Sequence, residues 1–394
     1  MDVLEDHGFL SFAFDTRTLT SRTWLLLGEA MSKCQHLAGT PLKPAAAAHL
    51  ASAYLARGVL ATTAIEGNTL SVEDAEKIVR DGRAGMPESR EYLEREVVNV
   101  LRAVREIDEA LRQGKQLPIT PERLMHLNSL VLDGIPDKPE VRPGKYREHS
   151  VGVGTYRAPV WHEVPSLVKQ LTDWLHQLRS QITGNSSDED KFVNAVLAAT
   201  LAHLYIAWIH PFGNGNGRTA RLIEVQILSE SGVVPLVATN LLSDHYNKTR
   251  TAYYLALDAA RGDIGAFIQY AILGFVDELR DQIAVVREQS KSIHWESYVY
   301  ETFRSKPSTD ARDRQRLLAL ALPEGRTVTT DETVTLTTEL ARRYASTGER
   351  TPARDLNDLV KMGLVEKVSK REYRVSREII MAFLPPVAHP QPNS

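Results

Sequence analysis

The sequence predicts a mainly α-helical chain of more than one domain. Three observations carry that reading. Apolar residues recur at three- and four-residue spacing through most of the chain, and alternating strand patterns are few. The length of 394 residues, 43% hydrophobic and 25% charged, exceeds what one hydrophobic core serves. The charge character also changes after about residue 290: basic residues outnumber acidic ones between Lys291 and Glu378, whereas the rest is acidic on balance.

Composition narrows the function classes. With 47 basic and 50 acidic residues the net charge is −3, which excludes a bulk-basic nucleic-acid binder and an acidic disordered chain. A single cysteine, Cys34, excludes a disulfide framework, a cysteine-rich zinc module and an iron–sulfur cluster. The N-terminus from Met1 to Asp6 is acidic where a secretory signal is basic. The longest apolar run, Ala195 to Ile209, contains His203 and is too short to span a bilayer. The expectation is a soluble cytoplasmic protein with no membrane partner.

Helices are predicted over 22–36, 44–66, 71–80, 88–112, 120–131, 164–181, 187–209, 216–231, 246–260 and 264–290. Ser187 with Asp190 three residues on is a capping pattern, and Gly232 closes the helix that begins near Asn216. The stretch 142–159 (RPGKYREHSVGVGTYRAP) breaks the helical spacing, and its alternation of Val151, Val153 and Tyr156 predicts a short β-hairpin flap. Residues 183–190 read as a polar loop. Beyond 290, helices are expected at 294–304, 309–321, 335–346 and 352–363, the last with Thr351 as N-cap, Pro352 first and Gly363 as terminator. Residues 364–375 alternate around a Ser369-Lys370-Arg371 turn. Helix, turn, helix and two-stranded wing in that order resemble a small winged helix-turn-helix domain over 291–378. Its second helix exposes Arg354, Asn357, Asp358 and Lys361, a mixed face that argues against strong non-specific DNA affinity. Residues 379–394, uncharged and with four prolines, are expected to be a flexible tail.

The chemistry concentrates in Ile209 to Arg221 (IHPFGNGNGRTAR). Gly213, Gly215 and Gly217 free the backbone just before a helix, where successive N–H groups attract anions. Arg218 and Arg221 lie three apart on one face of the first turns. Cations there oppose the helix dipole, and no acid follows until Glu224, so the arrangement calls for a polyanion in the loop. His210 enters the loop from the preceding helix, where its ring can act as a general base. No Gly-Lys-Ser/Thr follows and no strand precedes, which excludes a Walker A loop and a dinucleotide fold.

This stretch resembles the signature of the Fic family, HPFx(D/E)GNGRxxR: His210, Pro211, Phe212, Gly215, Asn216, Gly217, Arg218 and Arg221 all match. The resemblance implies a protein adenylyltransferase that moves AMP from ATP to a hydroxyl of a target protein. His210 would then be the catalytic base, Gly215, Asn216 and Gly217 would hold the α-phosphate, and Arg218 and Arg221 the outer phosphates. Asn214 stands where the family has Asp or Glu as ligand for Mg²⁺, and an amide holds that ion, or Mn²⁺, more weakly than a carboxylate. Phe212 reads as core packing. His203 reads as a packed histidine.

Thr62 to Asn68 (TTAIEGN) resembles the family's inhibitory motif (S/T)xxxE(G/N). Glu66 ends an apolar helix at the negative pole of its dipole and so requires a cationic partner. The resemblance names Arg221, with Glu66 obstructing the outer phosphate. It also links such a glutamate to removal of AMP, and it places Tyr254 beside the adenine. The flap near 150–159 is where a target protein would dock by strand pairing. The expected organisation is therefore an N-terminal helical region (1–118) with an inhibitory helix at about 44–68, a catalytic core (119–290), the winged-helix domain and the tail. Auto-modification and a homodimer are further implications. A nucleotide-sensing winged-helix regulator that binds DNA is the alternative outside enzymology.

Overall fold

The computed structural model describes residues 7–381, except 116, 155, 184 and 185. The chain divides into two compact units, 1–285 and 286–394.

The first unit is a helical bundle. Its helices are α1 (Ser21–Gly39), α2 (Pro44–Ala64), α3 (Val72–Asp81), α4 (Glu91–Arg112), α5 (Pro121–Val131), α6 (Val164–Thr183), α7 (Asp188–Ile209), α8 (Asn216–Glu230), α9 (Leu241–Lys248), α10 (Arg250–Ala259) and the start of α11 (Ile264–Arg304). At its centre, α7 packs between α6 and α8. The Ser187 hydroxyl accepts the Asp190 N–H at 3.2 Å, and Asp188, Glu189 and Asp190 favour the helix N-terminus electrostatically. Its apolar window has a mean hydropathy of 1.7, enough by composition to cross a membrane, but 83% of it is buried inside the bundle. That burial makes α7 the rigid rod on whose end the His210 loop sits.

Helix α2 packs on α3, α4 and α9 and is tied to α9 by an Arg57–Asp244 ion pair of 2.5 Å. The helix, expected to run to Glu66, ends at Ala64, with Ile65 as its cap, so the Glu66 carboxylate projects from the following turn rather than from the helix end. The hairpin consists of β1 (Gly152–Val153) and β2 (Tyr156–Arg157), paired antiparallel.

Two further helix predictions need correction. The helix expected over 246–260 is broken at Thr249, whose hydroxyl binds the His245 carbonyl at 2.8 Å and the Tyr270 hydroxyl at 2.6 Å. Conversely, no break occurs near 291. Residues 285–294 contain neither glycine nor proline, and α11 continues through them for 41 residues.

The second unit contains α12 (Asp310–Ala321), β3 (Val328–Thr329), α13 (Thr330–Thr333), α14 (Thr338–Tyr344), α15 (Thr351–Lys361), β4 (Val365–Lys367) and β5 (Glu372–Val375). The strands form an antiparallel sheet in the order β3-β5-β4, with Val365 opposite Val375 and Val328 opposite Tyr373. Its core gathers Trp295, Val299, Leu318, Leu340, Leu356 and Tyr373. Strand β3 is new relative to the sequence reading, because two residues are too few to register a period. Helix α15 begins at Thr351 itself, one residue earlier than expected, with Arg350 as its cap. Of the expected tail, residues 382–394 lie outside the described residues, and 379–380 belong to a short 3₁₀ turn.

Candidate active site

The loop between α7 and α8 is shaped by two left-handed residues and three polar side chains. His210 adopts φ 48°, a strained choice for a non-glycine residue, and its N–H closes α7 on the Ile206 carbonyl at 2.9 Å. Gly215, at φ 77°, starts α8. The Asn216 carboxamide is spent on the loop: its Oδ1 accepts the Phe212 N–H at 2.9 Å and its Nδ2 donates to the Phe212 carbonyl at 2.8 Å. The Asn216 side chain is therefore not free for a ligand, and what the first turn of α8 can offer an anion is its backbone N–H groups, which lack intrahelical carbonyls. Asn128 of α5 donates to the Asn214 carbonyl at 2.9 Å while accepting the Gly144 N–H at 3.0 Å. Phe212 is buried, as expected, against Tyr146.

Arg147 joins loop and flap. Its Nε donates to the His210 carbonyl at 2.8 Å, Nη1 to the His149 carbonyl at 2.9 Å and Nη2 to the Pro159 carbonyl, while its backbone N–H reaches Pro211 at 3.0 Å. Burial lowers its pKa to about 10, so it is still a cation at neutral pH.

The His210 ring is oriented by its Nδ1, which donates to the Ala207 carbonyl at 3.3 Å and leaves the Nε2 lone pair free for a proton. Burial holds its pKa below the ordinary histidine value and Arg147 adds to that, against opposing contributions from the Ala207 bond and Glu66. The ring is thus neutral, as a base must be. His203 is the packed residue expected, fully buried with its Nε2 2.8 Å from the Tyr253 hydroxyl.

The two signature arginines are buried, and each meets a carboxylate. Arg221 Nη2 donates to Glu66 Oε1 at 2.6 Å and to the Thr62 carbonyl at 2.9 Å. Arg218 Nη1 donates to Glu96 Oε1 at 3.0 Å, and its Nη2 to Asn214 Oδ1 at 3.4 Å. The balancing charges come from the segment after α2, where Glu66 meets Arg221, and from α4, where Glu96, which the sequence did not single out, meets Arg218. Among the described residues, the Nε of each arginine is buried without a partner. Burial by itself would raise the Glu66 pKa, but the adjacent Arg221, with Arg218 and His210, lowers it on balance. Gly217 leaves room for the pair, since a Cβ there would lie 2.2 Å from Glu66 Oε1.

Glu66, His210, Asn216, Gly217, Arg221 and Tyr254 line one cavity of about 610 Å³. Its far wall includes Tyr253 and Leu257, and the flap borders it through Gly154 and Tyr156. Tyr254 is 45% exposed, free to face a ligand, whereas Tyr253 is buried and stacked on Tyr246 at 4.8 Å. Asn214, Gly215 and Arg218 are not on this wall. The Asn214 amide is held on both sides, with Oδ1 accepting the Gly215 N–H at 2.6 Å and Nδ2 donating to Asp137 at 2.5 Å. Among the described residues, no group of three His, Cys, Asp or Glu side chains is arranged for a metal ion. Sequence reasoning missed Arg147, Asn128, Glu96, Asp137 and Tyr253. Local spacing does not say which acid meets Arg218, or that Arg147 is satisfied by carbonyls alone.

Residues 118–228 match the family described as Fic/DOC. The protein adenylyltransferase fic-1 of Caenorhabditis elegans is 28% identical over 234 residues, which is 59% of this chain and 42% of that protein. The protein adenylyltransferase Fic of Nematostella vectensis is 28% identical over 210 residues, 53% of this chain and 44% of that protein. The chain thus spans less than half the length of these curated relatives. Among solved structures, a Fic family protein from Desulfovibrio desulfuricans G20 gives a TM-score of 0.53 at 21% identity, covering 91% of this chain and 97% of that one. A portion of Fic-1 from C. elegans gives 0.54 at 24% identity, covering 68% and 73% respectively. These likenesses establish the fold of the first unit as the mainly helical Fic type.

Proposed function

We propose that this Fic-domain protein, distantly related to the protein adenylyltransferases, transfers AMP from ATP to a Ser, Thr or Tyr hydroxyl and is held inactive by Glu66. The observation that carries this reading is the shared cavity: base, anion-binding helix terminus and Arg221 line it together, with Glu66 bonded to Arg221 at 2.6 Å. In the reaction, His210 Nε2 takes the proton of the hydroxyl as its oxygen bonds to the α-phosphorus. The bond from that phosphorus to its bridging oxygen breaks, and pyrophosphate leaves with the electron pair. The N–H groups opening α8 stabilise the charge on the α-phosphate, and Arg221, once released, that on the outer phosphates. Tyr254 packs against the base. The target protein docks on the hairpin at 150–159 by strand pairing.

The residues present fit a magnesium ion that arrives with the triphosphate. The hard oxygens beside the loop belong to the Asp137 carboxylate, which Asn214 Nδ2 contacts at 2.5 Å, while Asn214 Oδ1 is held by the Gly215 N–H at 2.6 Å and would have to be released to join them. Bound there, the ion would neutralise phosphate charge. A second reading, removal of AMP from a modified target, is favoured by Glu66 lining the same cavity as His210. Glu66→Ala is expected to stop removal while permitting addition.

Label from α-labelled ATP tests the main reading. Transfer to protein hydroxyls is expected to rise by about 10–100-fold in Glu66→Gly, the equivalent of one charged hydrogen bond. It is expected to disappear in His210→Ala. No label in Glu66→Gly with any of the four nucleotides, with Mg²⁺ or Mn²⁺ present, overturns it.

A further inference from the structure

The inhibitory contact at Arg221 has a companion at Arg218, and the two share a joint. Glu96 Oε1 accepts from Arg218 at 3.0 Å, while Glu96 Oε2 accepts from Asn68 Nδ2 at 2.8 Å. Asn68 stands two residues after Glu66 and is 5% exposed. The same Nδ2 also donates to the Leu93 carbonyl at 2.8 Å, and Asn68 Oδ1 accepts the Leu70 N–H at 3.1 Å. One carboxylate of α4 therefore grips both the segment that carries Glu66 and the arginine that carries phosphate-binding charge. Arg218 is 2% exposed, its Nε is unpartnered among the described residues, and it does not line the cavity that Arg221 lines.

We infer that Glu96, which Asn68 holds in place, is a positioning residue that withholds Arg218 from the triphosphate. The inference rests on the adenylyltransferase reading only for the identity of the anion. A nucleoside triphosphate entering the cavity competes with Glu66 for Arg221 and with Glu96 for Arg218.

The test is calorimetric titration of the full chain with ATP and with AMP, which needs no transfer chemistry. In a Glu66→Gly background, adding Glu96→Gln, which keeps the shape and removes the charge, is expected to tighten ATP binding about tenfold, the equivalent of one charged hydrogen bond. AMP, lacking outer phosphates, is expected to bind unchanged. Glu96→Asp, which keeps the charge, is expected to give less than half that gain. With Arg218→Gln also present, the gain is expected to vanish. Melting temperatures within a few degrees of the parent identify folded variants. Unchanged or weaker ATP binding in folded Glu96→Gln protein overturns the inference, as does an equal gain for AMP. Failure of the adenylyltransferase reading is separable, because it would appear as absent label in Glu66→Gly whatever the ATP affinities.

Discussion

Two buried arginine–carboxylate systems in this molecule look alike and are built differently. In the second unit, Arg314 Nε donates to Asp355 Oδ2 at 2.7 Å, Gln315 donates to Oδ1 at 2.9 Å and the Tyr344 hydroxyl to Oδ2 at 3.1 Å. The guanidinium also lies over the Tyr344 ring at 5.2 Å. Both oxygens of Asp355 are occupied, and the residue is 2% exposed. In the first unit, Arg221 holds Glu66 through one oxygen, the Glu66 side chain is 31% exposed, and Arg221 Nε is left without a partner among the described residues. The Asp355 system also borders a cavity, but it is closed at its carboxylate and serves the fold. The Glu66 system is open at its carboxylate and shares its cavity with His210, so an anion entering there can compete for the Arg221 donors.

The largest effect should separate the two by stability. Asp355→Ala strands Arg314 in the interior and is expected to cost about 3–5 kcal/mol in urea denaturation, with ATP affinity unchanged. Glu66→Gly is expected to cost about 1 kcal/mol or less, because water in the cavity reaches Arg221. Equal losses would erase the distinction between closed and open networks.

A second contrast lies within the site. Arg147 is a closed element inside the open system, its guanidinium satisfied by four backbone carbonyls, those of His149, Pro159, Ile209 and His210, that fix where His210 stands. A lysine cannot reproduce that fork. Arg147→Lys in the Glu66→Gly background is expected to lower the transfer rate about 100-fold through misplacement of the base, with ATP affinity little changed. Loss of ATP binding instead, measured by calorimetry, would move Arg147 from the base to the anion site.

The smallest effect concerns pH. Burial disfavours the imidazolium of His210, so the neutral base persists to lower pH than in an ordinary histidine. Glu66 opposes that shift, and its removal lowers the pKa further. The acid limb of the single-turnover rate in Glu66→Gly is expected to fall below the ordinary value of about 6.5. A midpoint at or above that value would mean that the proton acceptor is not buried His210.

Most of the helices could be read from the sequence because their causes are local: Ser187 caps α7, Gly232 follows α8, and Ala195 to Ile209 is apolar on every face. The same holds for the anion loop, whose glycines, histidine and arginines fall within 13 consecutive residues. What was illegible is long-range. Arg218 meets Glu96 across 122 residues, and the Thr249 break depends on a tyrosine 21 residues further on. Strand β3, two residues long, exists only because β5 lies beside it. Asn216 shows a subtler limit, since its type fits phosphate contact, yet its side chain folds back on Phe212.

Intact-mass measurement of the Glu66→Gly protein after incubation with ATP and Mg²⁺ tests the masked-transferase account most directly. The expected result is a mass increment of one adenylyl group, absent when His210→Ala is added. An unchanged mass with every nucleotide, in protein that binds ATP, would contradict it.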